Sequence, residues 1–178
     1  YINCSNNSIS ELSLNQITQL AQLDCNNNKL SKLDVSRNRN LTDLNCANNH
    51  LSLSELYGAI SNGATYSQSL LLSPQALMPA NAYTNTSVGI PIIDGTESEI
   101  TIPNATLGTD YTYTNGNLNF KKLGTYTVSM TNDKVVDKTN AKAQANITYT
   151  VHSSIPAVAT LTWKGATNYD KSFKFRAT

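Results

Sequence analysis

Charge is scarce in this chain. Lys, Arg, Asp and Glu make up 14% of 178 residues and nearly cancel, leaving a formal net charge of +1. Phosphate binding needs clustered Lys and Arg. Lys121-Lys122 and the lysines scattered through 134–142 form no stripe, which argues against nucleic acid or acidic lipid as the main partner. Long apolar runs are also missing. The longest is Leu70-Leu71-Leu72, far short of the roughly 20 residues that cross a bilayer as a helix. Histidine is reduced to His50 and His152, too far apart in the chain to suggest a dyad, and His50 reads as a solvated turn residue. No Gly-rich phosphate loop, H-E-x-x-H or G-x-S-x-G occurs. These absences lead to the expectation of a protein that is not an enzyme and holds no cofactor or metal. No Met opens the chain, which begins at Tyr1 inside a repeat. The expectation is a processed or trimmed piece in which no signal peptide is visible.

The few cysteines are informative. Cys4, Cys25 and Cys46 recur every 21 residues, and their surroundings recur with them. Ile2, Leu23 and Leu44 stand two residues before; Asn7, Asn28 and Asn49 stand three after; Ile9, Leu30 and Leu51 stand five after. A fixed period of about 20–30 residues with apolar and Asn positions in register signals a solenoid. Around each cysteine the apolar residues alternate with period 2, the mark of a short strand. Leu23 and Cys25 therefore face inward, and Asp24 and Asn26 outward. Successive repeats stack as a parallel sheet with strands about 4.8 Å apart, and the stacking itself creates the core.

Asn7, Asn28 and Asn49 fall where the chain bends out of the strand. An amide both donates and accepts, so a stacked row can satisfy the bend of the neighbouring repeat. This is a structural ladder, with ligand contact the lesser alternative. The cysteines admit three readings. In-register parallel strands aim identical side chains the same way, which suits a disulfide poorly, and three thiols leave one over. A metal site wants close spacing such as C-x-x-C. The remaining reading is a row of small buried thiols, which makes Cys4, Cys25 and Cys46 part of the structural ladder. On the back of the repeats Leu12 aligns with Leu33, and Leu14 with Val35 and Leu56, with no helix-length pattern; short turns or 3₁₀ pieces are expected.

The pattern then breaks. Ser52-Leu53-Ser54-Glu55 reads as a capping box ahead of Leu53, Leu56 and Ile60, so a helix over about 53–61 should cover the solenoid, stopping near Gly63. Ser69–Ser73 reads as a strand halted by Pro74. It could add one more strand to the solenoid sheet. From 80 to 152 strand candidates lie at Val88–Ile93, Ser98–Ile102, Tyr111–Thr114, Leu118–Phe120, Thr125–Thr131 and Ala145–His152. Asp94-Gly95, Pro103-Asn104, Asn115-Gly116 and Asn132-Asp133 stand between them as turns, and Asn115-Gly116 is a strong hairpin signal. Leu123-Gly124-Thr125-Tyr126-Thr127-Val128 resembles the immunoglobulin-like corner, in which a Tyr hydroxyl bonds nearby backbone. Val128 replaces the Cys of an antibody domain. The expectation is an immunoglobulin-like sandwich without the disulfide, or a looser β-sandwich. Residues 153–178 hold Ile155-Pro156 as a linker and alternating stretches at Ala159–Trp163 and Lys171–Arg176. They are expected to be strands of the second module or the start of a truncated domain.

The expected fold is thus mainly β: a solenoid over 1–79 with a helical cap, then a sandwich over 80–152. The outward face of the solenoid sheet offers Asn3, Asp24 and Asn45 in one column, Ser5, Asn26 and Ala47 in a second, and Tyr1, Gln22 and Asp43 in a third. Asn6, Asn27 and Asn48 form a further column. Asn3, Ser5, Gln22, Asp24, Asn26, Asp43 and Asn45 are the candidate binding face for a protein or carbohydrate. The other possibility is a hydrated surface whose ligand site lies on further repeats. Asp24 and Asp43 read as solvated rather than as a catalytic or calcium-binding pair.

Leu20-x-x-Leu23-x-Cys25-x-x-Asn28-x-Leu30 and Leu41-x-x-Leu44-x-Cys46-x-x-Asn49-x-Leu51 resemble the leucine-rich repeat. Residues 1–63 resemble those of bacterial cell-surface leucine-rich-repeat proteins, and the order of repeats and then an immunoglobulin-like module is similar to the internalin architecture. That resemblance implies an exported, monomeric adhesion or recognition protein, extracellular or at the cell surface, that binds a partner through the concave face. The alternative is a structural spacer presenting another domain. N-x-S/T sequons, among them those at Asn3, Asn40, Asn104 and Asn146, would matter only in a eukaryotic secretory route.

Overall fold

A computed structural model describes residues 1–153. The sequence expectations for Ile155-Pro156, Ala159–Trp163 and Lys171–Arg176 lie outside the described residues. Strands β1 (Ile2–Asn3), β2 (Gln22–Asp24) and β3 (Asp43–Asn45) stack in parallel, with Ile2 beside Leu23 and Leu23 beside Leu44. Strand β4 (Ser69–Leu71) joins β3, setting Leu70 beside Leu44. Leu23, Cys25, Leu30, Leu41, Leu44, Cys46 and Leu51 are buried, as the period-2 pattern requires. On the back of the repeats the chain makes consecutive turns, closed by Ile17 N–H to Leu14 O and Leu20 N–H to Ile17 O, and again by Asn38 to Val35 and Leu41 to Asn38.

The Asn row does what an amide at a bend can do. Asn28 Oδ1 accepts from Ile9 N–H at 2.9 Å, and its Nδ2 donates to the carbonyls of Cys4, Cys25 and Asn26. Asn49 repeats this with Leu30 N–H and the carbonyls of Cys25, Cys46 and Ala47. Asn7 reaches the carbonyls of Cys4 and Ser5 in its own repeat. The preceding residues, Asn6, Asn27 and Asn48, hold φ of 58°, 53° and 54°, the left-handed region that Asn tolerates better than other side chains. Each Asn-Asn pair therefore divides the bend: the first residue turns the backbone and the second satisfies it.

The ladder continues one step beyond the cysteines. Gln75 is fully buried; its Oε1 accepts from Asn49 N–H and Leu51 N–H, and its Nε2 donates to the carbonyls of Cys46 and Leu72. Leu70, Leu72, Gln75 and Leu77 thus form a fourth repeat, with Leu in the cysteine place and Gln in the asparagine place. A second row runs along the back: Asn38 donates to Leu14 O and Ile17 O, and Asn62 to Val35 O.

Helix α1 (Leu53–Ile60) is capped by Ser52, whose side chain accepts from Glu55 N–H, and it buries Leu53, Leu56 and Ala59. The Glu55 carboxylate accepts from Leu33 N–H of the preceding repeat and so ties the helix to the solenoid. Gly63, at φ 87°, comes after the helix end at Ser61.

Strand β5 (Gln75–Ala76) lies within the fourth repeat, and after it come β6 (Ala80–Tyr83), β7 (Val88–Gly89), β8 (Ile92–Ile93), β9 (Thr96–Glu97), β10 (Glu99–Thr101), β11 (Tyr111–Thr114), β12 (Asn117–Phe120), β13 (Gly124–Val136) and β14 (Lys142–His152). One sheet runs β10-β13-β14 with β5 and β6 both parallel to β14; another runs β11-β12-β7; β8 and β9 form a hairpin. Phe120 of β12 stacks on Tyr126 at 5.0 Å and tilts against Tyr149 at 5.7 Å, which brings the two larger sheets together. Asp94-Gly95 and Asn115-Gly116 are two-residue hairpins with positive φ at both positions, as their right-handed twist requires.

Two expectations need correction. The stretch Val88–Ile93 is two strands, interrupted before Pro91, whose ring removes a backbone donor. Asn132-Asp133 is not a turn but lies inside β13, where the pairing register shifts. Asn132 is fully buried and donates to Thr96 O and Ser98 Oγ; its side chain ties the β8–β9 region to the sheet, and the chain reverses only after Val136.

Candidate binding face

The outward side of β1–β4 is the surface the repeats predict. Neighbouring strands set Gln22 beside Asp43 and Asp43 beside Ser69, and Asn3 beside Asp24, Asp24 beside Asn45 and Asn45 beside Leu71. A shallow open depression on this face is lined by Tyr1, Gln22, Asp24, Asp43, Asn45, Ser69 and Leu71 among others. Of the seven residues expected to form the site, it gathers Gln22, Asp24, Asp43 and Asn45; Asn3, Ser5 and Asn26 stand outside it. Ala47, placed in the outward column by the repeat, is buried. Ser69 and Leu71 were missed. The spacing Leu70-x-Leu72-x-x-Gln75-x-Leu77, which repeats the pattern of the cysteine segments, would have revealed them.

The polar groups of the face are held by short local contacts. In each cysteine repeat the outward residue before the cysteine accepts from the backbone N–H after it: Asn3 Oδ1 from Ser5 at 3.0 Å, Asp24 Oδ1 from Asn26 at 3.2 Å, Asn45 Oδ1 from Ala47 at 3.4 Å. Ser5 Oγ also donates to Asn3 Oδ1, and Asn26 Nδ2 to Asp24. Gln22 Nε2 donates to Asp43 Oδ2 at 3.1 Å, and Thr42 Oγ1 donates to the same oxygen at 2.9 Å. Asp24 and Asp43 are offset diagonally, because Asp43 lies beside Gln22 and Asp24 beside Asn45. None of these outward positions is Lys or Arg, so the face is polar with two acidic groups. Leu71, 49% exposed, stands among them as an apolar side chain.

Behind the face the three thiols are free. Burial, then the neighbouring Cys4 and Asp24, pushes the Cys25 thiol up to about 12. Cys46 is pushed up by burial and by Cys25, and Cys4 by burial and Asp24. A thiol that keeps its proton is a poor nucleophile and a poor metal ligand. Among the described residues no group of three or more His, Cys, Asp or Glu could hold a metal ion.

Neither histidine lines the depression. His50 Nδ1 meets the Ala76 carbonyl, and His152 Nε2 lies 3.1 Å from Asn81 Oδ1. Tyr126 donates its hydroxyl to Lys122 O at 3.3 Å and to Leu123 O at 3.5 Å, four and three residues upstream. Val128, in the place of an antibody cysteine, is fully buried. No helix among the described residues is long and apolar enough to cross a membrane.

No family model matches the chain, and no curated protein matches it. Among solved structures, the functional domain of InlJ from Listeria monocytogenes, described as including a cysteine ladder, is similar over 85% of this chain, with a TM-score of 0.57 and 22% identity. The chain spans 33% of that structure's length. The likeness is one of fold: a leucine-rich-repeat-like solenoid in which cysteines occupy a repeated inward position.

Proposed function

We propose that this chain is part of a non-catalytic surface protein that binds a protein or glycan partner through the concave face of its solenoid. The observation that carries this reading is the four-strand parallel face. It presents Gln22, Asp24, Asp43, Asn45 and Ser69 around the exposed Leu71. Solenoids recognise partners on such surfaces. The local hydrogen bonds hold several of these side chains in place beforehand, which lowers the ordering cost of binding. The likeness in fold to a domain of a bacterial protein supports an extracellular or cell-surface location.

The division into repeats over 1–79 and a second module over 80–152 belongs to the same proposal, as does the reading of that module as an immunoglobulin-like sandwich. Strand order supports the latter. β10, β13 and β14 stand as C, F and G of such a fold, and β7, β12 and β11 as B, E and D. The Tyr126 hydroxyl, bonded to upstream backbone at the entry to β13, fits the tyrosine corner. A spacer that presents another domain is the second reading, favoured by the intimate junction between the modules, where β5 pairs with β14 directly after the Gln75 step of the ladder.

Protein and glycan arrays probed with the chain and with its Asn26→Arg and Asn45→Arg variants test the proposal. Binding lost in the variants supports it. Binding that survives both places the ligand elsewhere, and an unbound array favours the spacer.

A further inference from the structure

A second cleft lies where the bends of the repeats meet β14. Asn48, Asn49 and His50 of the third repeat line it, with Pro74, Gln75 and Ala76 of the fourth and Asn146 of β14. It is open, with a volume of about 280 Å³, at the lower end of ordinary ligand pockets. It shares no residue with the depression on the concave face. Backbone bonds fix its frame: Asn48 N–H donates to Pro74 O at 2.7 Å, Ala76 N–H to Asn49 O at 2.9 Å, and Leu77 N–H to Asn146 O at 2.7 Å. Such a frame needs little ordering when a ligand arrives.

The polar side chains of the cleft are of two kinds. Asn49 and Gln75 spend their amides on the ladder. Asn48, His50 and Asn146 keep groups in reserve. In the exposed outer row, Asn27 Nδ2 donates to Asn6 Oδ1 at 2.9 Å. Asn48 is the next member of that row. After it comes Pro74, which precedes Gln75 as Asn48 precedes Asn49. Proline carries no side-chain amide, so the row ends there, and the Asn48 side chain has no hydrogen-bond partner among the described residues. Asn146 Oδ1 accepts from Ser129 Oγ at 2.6 Å and from Gln144 Nε2 at 3.1 Å. Those bonds orient the amide and leave its Nδ2 to donate elsewhere. His50 Nδ1 meets the Ala76 carbonyl, which calls for a proton on Nδ1, so Nε2 of the neutral ring is an acceptor.

The cleft therefore offers a donor at Asn146, an acceptor at His50 and both at Asn48, beside the apolar Pro74 ring and Ala76 methyl. No Lys, Arg, Asp or Glu lines it, so an anion would find no fixed cation and a cation no carboxylate. Mixed donors and acceptors beside a small apolar surface match the hydroxyls and C–H face of an uncharged sugar. One hydroxyl can donate to His50 Nε2 while it accepts from Asn146 Nδ2, and the Asn48 amide can serve two neighbouring hydroxyls. We propose that this cleft is a saccharide site that seats one neutral sugar ring against Asn48, His50 and Asn146. It is separate from the concave face, and its ligand would bridge the repeats and β14.

The test is a ¹H–¹⁵N NMR titration of the full chain with D-glucose, D-galactose, D-mannose and N-acetyl-D-glucosamine, read at the side-chain amides of Asn48 and Asn146. At least one of these sugars should give saturable shifts centred on those two amides at millimolar concentration. Asn48→Gly suits the φ of 54° at that position and removes only the side chain. Asn146→Asp keeps the accepting oxygen and removes the donor. Each should weaken binding about tenfold, the loss of one hydrogen bond, with the backbone spectrum as the check on folding. Asn45→Arg, on the concave face, should bind as the parent does. The absence of saturable shifts with every one of these sugars overturns the proposal, and so does binding that both cleft variants leave unaltered. Shifts that gather on Asp24, Asp43 and Asn45 overturn it too, while supporting the concave face as the binding surface.

Discussion

At the scale of the residue, the asparagine row has more at stake than the cysteine row it accompanies. Asn49 satisfies one buried donor and three carbonyls, and each buried group left unpaired costs about 1–3 kcal/mol. Asn49→Ala should therefore lower stability by about 2–4 kcal/mol, measured by urea denaturation. Asn7→Ala, which removes contacts at an exposed position, should cost under about 1 kcal/mol. Equal losses would mean that the buried row does not carry the bend. The thiols have their own signature. Folding raises the Cys25 value from 9.0 to about 12, and Cys46 rises as well. The folded state holds these protons more tightly than the unfolded state, so their contribution is complete below pH 9.0 and is lost as pH climbs toward about 12. Unfolded tyrosines ionise only near pH ~10, so the first loss above pH 9.0 belongs to the thiols. The urea midpoint should fall over that window in the parent and stay flatter in a Cys25→Ala/Cys46→Ala variant. Parallel curves would remove the thiols as the cause.

At the scale of the element, the two Gly-containing hairpins look alike in sequence and differ in space. Gly95 and Gly116 hold φ of 73° and 71°. A Cβ at Gly95 meets nothing within 4 Å, whereas one at Gly116 would lie 2.9 Å from Ile90 O. Gly95→Ala should cost about 1–2 kcal/mol of left-handed strain, and Gly116→Ala clearly more, read as thermal midpoints under one condition. A reversed order would show that the close approach at Gly116 relaxes freely. The same contrast separates what was legible in the chain from what was not. The hairpin turn at Asn115-Gly116 and the cap at Ser52 could be read because local backbone geometry demands those residue types. The first three strands could be read because a fixed period puts identical side chains in identical places. The strand at Ser69–Ser73 was expected to join the solenoid sheet and does so as β4, but its repeat pattern escaped because α1 interposes between β3 and β4. Gln75 stands 26 residues after Asn49 instead of 21, with Gln and Leu replacing Asn and Cys. That loss also hid Ser69 and Leu71, half of the outward surface beside Asp43 and Asn45. Asn132 misled for a related reason. Asn-Asp is turn chemistry in isolation, and only the packing of β8–β9 against β13 gives its amide buried partners.

At the scale of the whole molecule, the repeats and the strands that follow them are joined by more than a linker. Helix α1, tied to the repeats by the bond from Leu33 N–H to the Glu55 carboxylate, packs on β13 and β14. β5 pairs with β14 directly beside the Gln75 ladder step, and Leu77 N–H donates to Asn146 O at 2.7 Å. Lys138 Nζ reaches the carbonyls of Ser67 and Gln68, and the buried apolar residues of both modules form one continuous cluster. A solenoid end exposes an unfinished apolar face; here that face runs on into the core of the strands that follow, so neither part should be stable without the other. Val135, fully buried in the stretch of β13 where the pairing register shifts, tests this. Val135→Asp buries an unpaired carboxylate and should cost more than about 3 kcal/mol. If the junction couples the modules, amide exchange should accelerate together at Cys25 N–H, which bonds Asn45 O in the solenoid, and at the Val128–Ile147 pair of the second module. Protection lost in the second module alone, with Cys25 unchanged, would show two units that fold separately. If instead the exchange rates move together, the repeats and the strands that follow them open as one cooperative unit.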